Sequence, residues 1–297
     1  MNAGRHSRLQ NSTEFWMTDI ESVPPVENCK LVVFDLDGTL LTANYELTRN
    51  TIRAVDRIRD LGMRITVATG RSYKSAKPFV NRLGIVEPMV FSNGSVYDNP
   101  STGEREVVCG IPLETALIIL MLRDRYDISL KIHMSGDAVY KSDNTPWPGE
   151  GIHFETGTVV ENLKAELTED PIKIVFYADK EQHRKFQTDL MRILGENSPI
   201  ALFNTHPLRV EAVNRNVSKG KTVLRLAEQL GIYPEEVIAV GDQENDYEML
   251  RDSGIGIMVG SAAPLLKKVC NRTIPEPEND GIAQLSDWLQ EARCKRR

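Results

Sequence analysis

The stretch Leu31-Val32-Val33-Phe34-Asp35-Leu36-Asp37-Gly38-Thr39 constrains this chain more than any other. Its four leading apolar residues read as a buried strand. Two carboxylates follow, two residues apart, and the twofold repeat of a strand would point both the same way at its carboxyl end. Gly38 permits a sharp turn directly after them. Two anionic groups held at one spot repel each other unless a cation or a proton lies between them. The pair therefore predicts a hard metal ion, an acid–base role, or both.

Beyond the pair, strand and helix alternate. Ile52, Val55, Ile58 and Leu61 recur at helical spacing, and Gly62 ends that helix. Residues 64–68 read as a second strand ending at Thr69-Gly70-Arg71, residues 75–83 as a helix, and residues 88–91 as a third strand ending at Ser92-Asn93-Gly94. The alternation returns after Lys219: a helix at 221–229, a strand at 237–240 ending at Gly241-Asp242, a helix at 247–250, a strand at 255–259, and helices at 263–269 and 281–288. This pattern predicts an α/β, Rossmann-like core with a parallel sheet and right-handed crossovers.

A block of different character lies between. Turn chemistry at Asn99-Pro100-Ser101-Thr102-Gly103 opens it. A helix at 113–126, short strands at 129–133 and 138–141, a loop rich in Pro, Trp and Gly at 144–151, a strand at 172–178, a helix at 181–194 and strands at 200–204 and 208–213 follow. The block reads as an α+β domain with antiparallel neighbours, inserted into the first. The expected organisation is a flexible N-terminal extension at 1–29, a core at 30–96 and 214–292, and an inserted cap at 97–213.

Composition excludes several classes. The net charge of −6 leaves no basic footprint for nucleic acid, and the terminal Arg293-Cys294-Lys295-Arg296-Arg297 is too short to make one. No segment has the apolar length of a membrane span, and Met1–His6 do not lead into an apolar signal core, so a cytoplasmic location is expected. Cys29, Cys109, Cys270 and Cys294 are widely spaced, which fits reduced thiols and no zinc or redox motif. Position 215 is Arg where a P-loop ending at Gly220-Lys221-Thr222 requires Gly, so a nucleotide-binding P-loop is rejected.

In open α/β sheets, functional groups gather beyond the carboxyl ends of the strands. Four strand ends carry candidates here: Asp35 and Asp37, Thr69-Gly70-Arg71, Asn93-Gly94, and Gly241-Asp242-Gln243-Glu244-Asn245-Asp246. Taken alone, Thr69 reads equally as a helix cap and Lys219 as a surface lysine. Their convergence carries the argument.

These motifs in this order resemble the haloacid dehalogenase-like phosphohydrolases: Asp35-Leu36-Asp37-Gly38-Thr39, then Thr69, then Lys219, then Gly241–Asp246. Ala68-Thr69-Gly70-Arg71, Asn93-Gly94 and Val217-Ser218-Lys219-Gly220 are similar to the Cof-type branch of sugar-phosphate phosphatases, over roughly residues 30 to 290. One departure is Gly260-Ser261-Ala262, where the family usually has Gly-Asn-Ala.

The resemblance implies a Mg²⁺-dependent phosphatase acting on a small phosphorylated metabolite, with Asp35 as nucleophile and Asp37 as acid and base. It implies a metal held by Asp35, the Asp37 carbonyl and Asp242. It also implies phosphate binding by Thr69, Gly70, Arg71, Asn93, Asn245 and Lys219, with Asp246 orienting Lys219. A phosphomutase of the same branch and a catalytically silent sensor of a phosphometabolite are the alternatives. In the cap, His133, His206 and Arg209 are candidate substrate contacts, and Trp147 lies in a loop that reads as a lid or a packed turn.

Overall fold

The computed structural model describes residues 25–294 apart from 127, 148, 149, 152 and 207. In chain order the first half runs β1 (Leu31–Phe34), α1 (Arg49–Asp60), β2 (Arg64–Val67), α2 (Tyr73–Arg82), β3 (Met89–Phe91), β4 (Val96–Asn99), β5 (Glu104–Val107), α3 (Leu113–Arg123), β6 (Ser129–His133), β7 (Val139–Lys141) and β8 (Thr158–Val159). It continues with α4 (Leu163–Glu166), β9 (Lys173–Tyr177), α5 (Lys180–Leu194), β10 (Ile200–His206), β11 (Arg209–Asn214), α6 (Lys219–Gln229), β12 (Val237–Gly241), α7 (Tyr247–Asp252), β13 (Ile255–Val259), β14 (Arg272–Ile274) and α8 (Gly281–Cys294).

The fold is α/β. A parallel sheet in the order β14-β13-β12-β1-β2 places β12 at its centre with β1 beside it. Residues of β1 and β12 are buried throughout, because helices cover both faces of the sheet. Strand alternation assigns the faces. Val32 and Phe34 pack with α1, α2 and α8 through Val55, Val80 and Leu285, while Leu31 and Val33 pack with α6 and α7 through Leu226 and Met249. A single parallel bridge, Ala68 to Val90, joins β3 to the end of β2.

The sequence boundary at residue 97 falls inside β4, which pairs antiparallel with β3 on one side and β5 on the other. This hairpin had no apolar signature: β5 is Glu-Arg-Glu-Val and mostly exposed. Beyond it stands a second sheet in the order β10-β11-β9-β6-β7-β8. Its pairs are antiparallel except β7 with β8. Here alternation separates chemistry by face. Leu130, Ile132, Ile174, Phe176, Val210 and Ala212 join the apolar residues of α3 and α5 in one core. Lys131, His133, Lys173, Glu211 and Arg209 take the other parity, and all five line a cavity facing the parallel sheet.

Two segments connect this sheet with the rest, one entering α3 and one leaving β11. They lie side by side, since Asn214 Nδ2 donates to Gly110 O at 2.7 Å. Residues 1–24 of the expected flexible extension lie outside the described residues. Residues 25–29 depart from that expectation: Val26 and Cys29 are buried, and Arg293 Nη2 donates to Cys29 O at 2.6 Å. The expected helix at 263–269 is a short 3-10 segment, Pro264–Lys268. Among the described residues no helix is long and apolar enough to cross a membrane.

Candidate active site

The parallel sheet delivers its polar residues to one edge. Asp35 follows β1, and its N–H still donates to Val240 O at 2.9 Å, so the carboxylate leaves directly from the sheet. Thr69 follows β2 and donates its N–H to Val90 O at 2.9 Å, while Asn93 N–H donates to Thr69 O at 3.1 Å. Asp242 follows β12. Lys219 opens α6, two residues before the helix start read from the sequence, because Ser218 Oγ caps that helix by accepting from Lys221 N. A cation at a helix N-terminus is unfavourable against the helix dipole. Two carboxylates offset this here.

Lys219 Nζ donates to Asp35 Oδ1 at 2.6 Å and to Asp246 Oδ1 at 2.7 Å, and all three side chains are buried. Burial alone would lower the lysine pKa, but Asp246 and Asp35 more than offset it and hold the pKa above the ordinary value. Asp246 Oδ2 accepts from the N–H groups of Asp242 and Gln243, both at 3.0 Å, so both oxygens of Asp246 are occupied. That arrangement fits an orienting role for Asp246 toward Lys219.

Asp35, Asp242 and Asp246 offer carboxylate oxygens that all lie within 4.8 Å of one another. Three buried carboxylates face one ammonium, and the excess negative charge registers on the carboxyls. Burial, with the charges of Asp246, Asp242 and Asp37, raises Asp35 well above the usual range despite Lys219. Asp242 is pushed up to about 7, chiefly by burial and then by Asp246. A divalent cation could be held by this donor set, with Asp35 and Asp242 available as side-chain ligands. Asp242 is itself fixed: Oδ1 accepts from Thr39 Oγ1 at 3.1 Å and Oδ2 from Gln243 Nε2 at 2.7 Å. Gly38 turns the chain beneath it at φ +82°, and a Cβ there would lie 2.5 Å from Asp242 Oδ2.

Asp37 lines the same cavity as Asp35 but takes a different cation. The acidic cluster does not include its carboxylate. Arg71 grips that carboxylate with Nε at 2.8 Å and Nη2 at 2.6 Å, and its Nη1 donates to His153 O at 2.6 Å. The guanidinium sits over the rings of Phe154, Phe79 and Tyr45 at 4.6, 5.0 and 5.3 Å. Arg71, expected among the phosphate-binding groups, is thus spent on Asp37 and on the loop that carries His153.

The second sheet supplies the opposite wall. Lys173 Nζ donates to Gly70 O at 2.7 Å and to Glu211 Oε2 at 3.3 Å. Asn93 Nδ2 donates to the same Glu211 oxygen at 2.8 Å, and Asn245 Nδ2 donates to Asn93 Oδ1 at 2.8 Å. His133 is buried, and burial followed by the charges of Lys173 and Lys131 holds its pKa well below the ordinary value, leaving a neutral imidazole. Arg209 stacks on Phe154 at 4.9 Å. Trp147 is buried and stacked on Tyr177 at 5.2 Å, a packed turn. The side chain of His206 lies outside the described residues. The departure at Gly260-Ser261-Ala262 leaves the site braced, since Ala263 N–H donates to Asp242 O at 2.8 Å.

Glu211, Lys173, Lys131 and Gln243 were missed by sequence reasoning. The signal for three of them was present: Glu211 is two residues from Arg209 on β11, Lys131 two from His133 on β6, and Lys173 pairs with His133 across strands. Gln243 carried none beyond its place in the acidic loop.

Comparison with known proteins agrees with this geometry. The sequence profile of the haloacid dehalogenase-like hydrolases matches residues 32–285. A 5-amino-6-(5-phospho-D-ribitylamino)uracil phosphatase, YitU of Bacillus subtilis, is 26% identical over 258 residues, covering 86% of this chain and 95% of its own. An HMP-PP phosphatase of Yersinia pestis is 28% identical over 269 residues, covering 88% and 95%. A haloacid dehalogenase-like hydrolase from Bacteroides thetaiotaomicron shares the fold at a TM-score of 0.77 and 23% identity, covering 88% of this chain and 99% of its own. The subclass IIB sugar phosphatase BT4131 shares it at 0.75 and 19% identity, with the same coverage. With its profile match running from β1 into α8, and with the motif carboxylates and lysine assembled at one sheet edge, the chain belongs to the haloacid dehalogenase-like hydrolases and is an enzyme of that class.

Proposed function

We propose that this chain is a Mg²⁺-dependent phosphatase of small phosphomonoesters that works through a phosphorylated Asp35. The observation that carries the reading is Lys219 held between Asp35 and Asp246, with Asp242 beside them. Lys219 fixes Asp35 through Oδ1 and offers its positive charge to a phosphoryl group. Asp35 attacks phosphorus and the ester P–O bond breaks. Asp37 gives its proton to the departing alkoxide, then takes one from the water that cleaves the aspartyl phosphate. Asp35 and Asp242, with the Asp37 carbonyl, would hold Mg²⁺, which when bound neutralises charge between carboxylate and phosphate. Thr69, Gly70, Asn93 and Asn245 surround the phosphoryl position.

In this reading the six-stranded sheet with α3 and α5, within the block at 97–213, is a cap. It closes over the leaving group and excludes water. The relatives' names specify small phosphorylated molecules as substrates, which supports the same class here. The test is phosphate release from a panel of phosphorylated metabolites with Mg²⁺, comparing the unmodified protein with Asp35→Asn. The substitution should abolish turnover while melting temperature stays within a few degrees. Substantial release by pure Asp35→Asn protein would refute the covalent route.

A further inference from the structure

We infer that Glu211, on the sheet opposite the acidic cluster, is a positioning residue that sets the orientation of the Asn93 and Asn245 amides at the phosphoryl site. The inference rests on the phosphatase reading above for what those amides do, but the orientation follows from hydrogen-bond chemistry alone.

An ionised carboxylate offers acceptors only. Glu211 is buried and ionised: burial would raise its pKa, but Lys173 and Arg209, with hydrogen bonds from Lys173 and Asn93, hold it below the ordinary value. Asn93 must therefore turn Nδ2 toward it, as it does at 2.8 Å. That choice turns Asn93 Oδ1 the other way. Asn245 must then turn its own Nδ2 toward Asn93, again at 2.8 Å. Reversing either amide would set oxygen against oxygen. Polarity thus passes through two side chains from a residue that touches only the first.

A second observation shows that the orientation is imposed. Asn245 Oδ1 is buried with no hydrogen-bond partner. Leaving a buried acceptor unpaired is unfavourable, and an amide free to choose would turn it toward a donor. The relay holds it in place and fixes where the remaining Nδ2 hydrogen points. Thr205 Oγ1, at 3.3 Å from Glu211 Oε1, and Lys173 complete the setting of the carboxylate. Because Glu211 lies on β11 while Asn93 and Asn245 belong to the parallel-sheet side, the phosphoryl site is correctly set only when the two sheets are docked. That makes docking a requirement for every substrate, whatever its leaving group.

The test is a charge-and-donor swap. Asn93→Asp keeps the left-handed backbone of that position, φ 58°, but sets carboxylate against carboxylate. It should lower kcat for p-nitrophenyl phosphate at least about tenfold. Adding Glu211→Gln supplies an N–H facing the new carboxylate, whose other oxygen still accepts from Asn245, so the double variant should regain most of that loss. A double variant no faster than Asn93→Asp, with both melting near the unmodified protein, overturns the relay.

Side-chain amide ¹⁵N spectra test it without turnover. In Glu211→Gln alone, the Asn245 resonance should shift although Asn245 does not touch residue 211, and an unmoved Asn245 resonance overturns the relay. Failure of the unmodified protein to release phosphate from any ester would instead refute the phosphatase reading, leaving the relay to be decided by the spectra.

Discussion

Lys219→Met removes a charge while keeping much of the side chain's volume, and the structure fixes what should follow. Asp35 and Asp246 each lie within 2.7 Å of the ammonium, and their side chains are at most 5% exposed. Breaking a buried ion pair from one side costs about 3–5 kcal/mol. A second route gives a ceiling. The stranded pair can relieve itself by taking up a proton, and protonating a carboxylate of ordinary pKa near 4 at pH 7 costs about 3 units at 1.36 kcal/mol each, or about 4 kcal/mol.

A chain of this size loses about 2–4 °C of Tm per kcal/mol, so the variant should melt about 8–16 °C below the unmodified protein at neutral pH. The sign with pH follows from the same argument. Proton uptake becomes easier as pH falls, so the gap should narrow by up to about 1.4 kcal/mol per unit toward pH 5. Differential scanning fluorimetry without divalent cations reads both quantities. A gap below about 2 °C, or one that does not change between about pH 5 and 8, would show that Lys219 does not neutralise the buried carboxylates. On the proposed function, turnover should fall for all substrates together, because the ammonium would face the phosphoryl group they share.

Gly94→Ala would place a Cβ 2.3 Å from Ser218 O at φ +102°, where neither backbone can yield cheaply. It should destabilise by about 3 kcal/mol or more in urea titration and dislodge the start of α6, and so Lys219. Arg71→Lys loses the two-pronged hold on Asp37, and kcat for an alkyl phosphate should drop about tenfold further than for p-nitrophenyl phosphate, whose leaving group needs little protonation. Equal losses on both esters would separate Arg71 from the acid. Chelation with EDTA should abolish turnover and Mg²⁺ restore it. Because the Asp242 pKa is pushed up to about 7, protons compete for this ligand, and apparent Mg²⁺ affinity should weaken as pH falls below that value.

The residues that were legible in the sequence are those whose position follows from a strand end. Asp35, Thr69 and Asp242 each leave a short apolar strand, and parallel α/β topology brings such ends together without further information. The partition of Asp35 and Asp37 between two cations was not legible. Period two places both carboxylates on one side, but Lys219 and Arg71 come from elements 184 and 34 residues away, and only the assembled fold says which takes which. The β4–β5 hairpin was missed because its outer strand is polar, and burial, not propensity, gives strands their pattern. Period two from Arg209 could have placed Glu211 on the cavity face, but its reach across the gap to Asn93 is something no local period describes.

The hydrogen bond from Asn214 to Gly110 ties together the only two covalent routes seen between the sheets among the described residues. Two separate tethers would let the six-stranded sheet twist as well as tilt. If the six-stranded sheet moves as the proposed cap, two connections stapled side by side would act as one leaf of a door, swinging about the line of that bond. Five residues beyond Asn214 the chain becomes Lys219, so the hinge pin and the lysine ammonium belong to one short run of backbone. In that reading, opening the door would pull on the lysine's own anchorage, and the grip of Asp35 and Asp246 on it would return the chain to register.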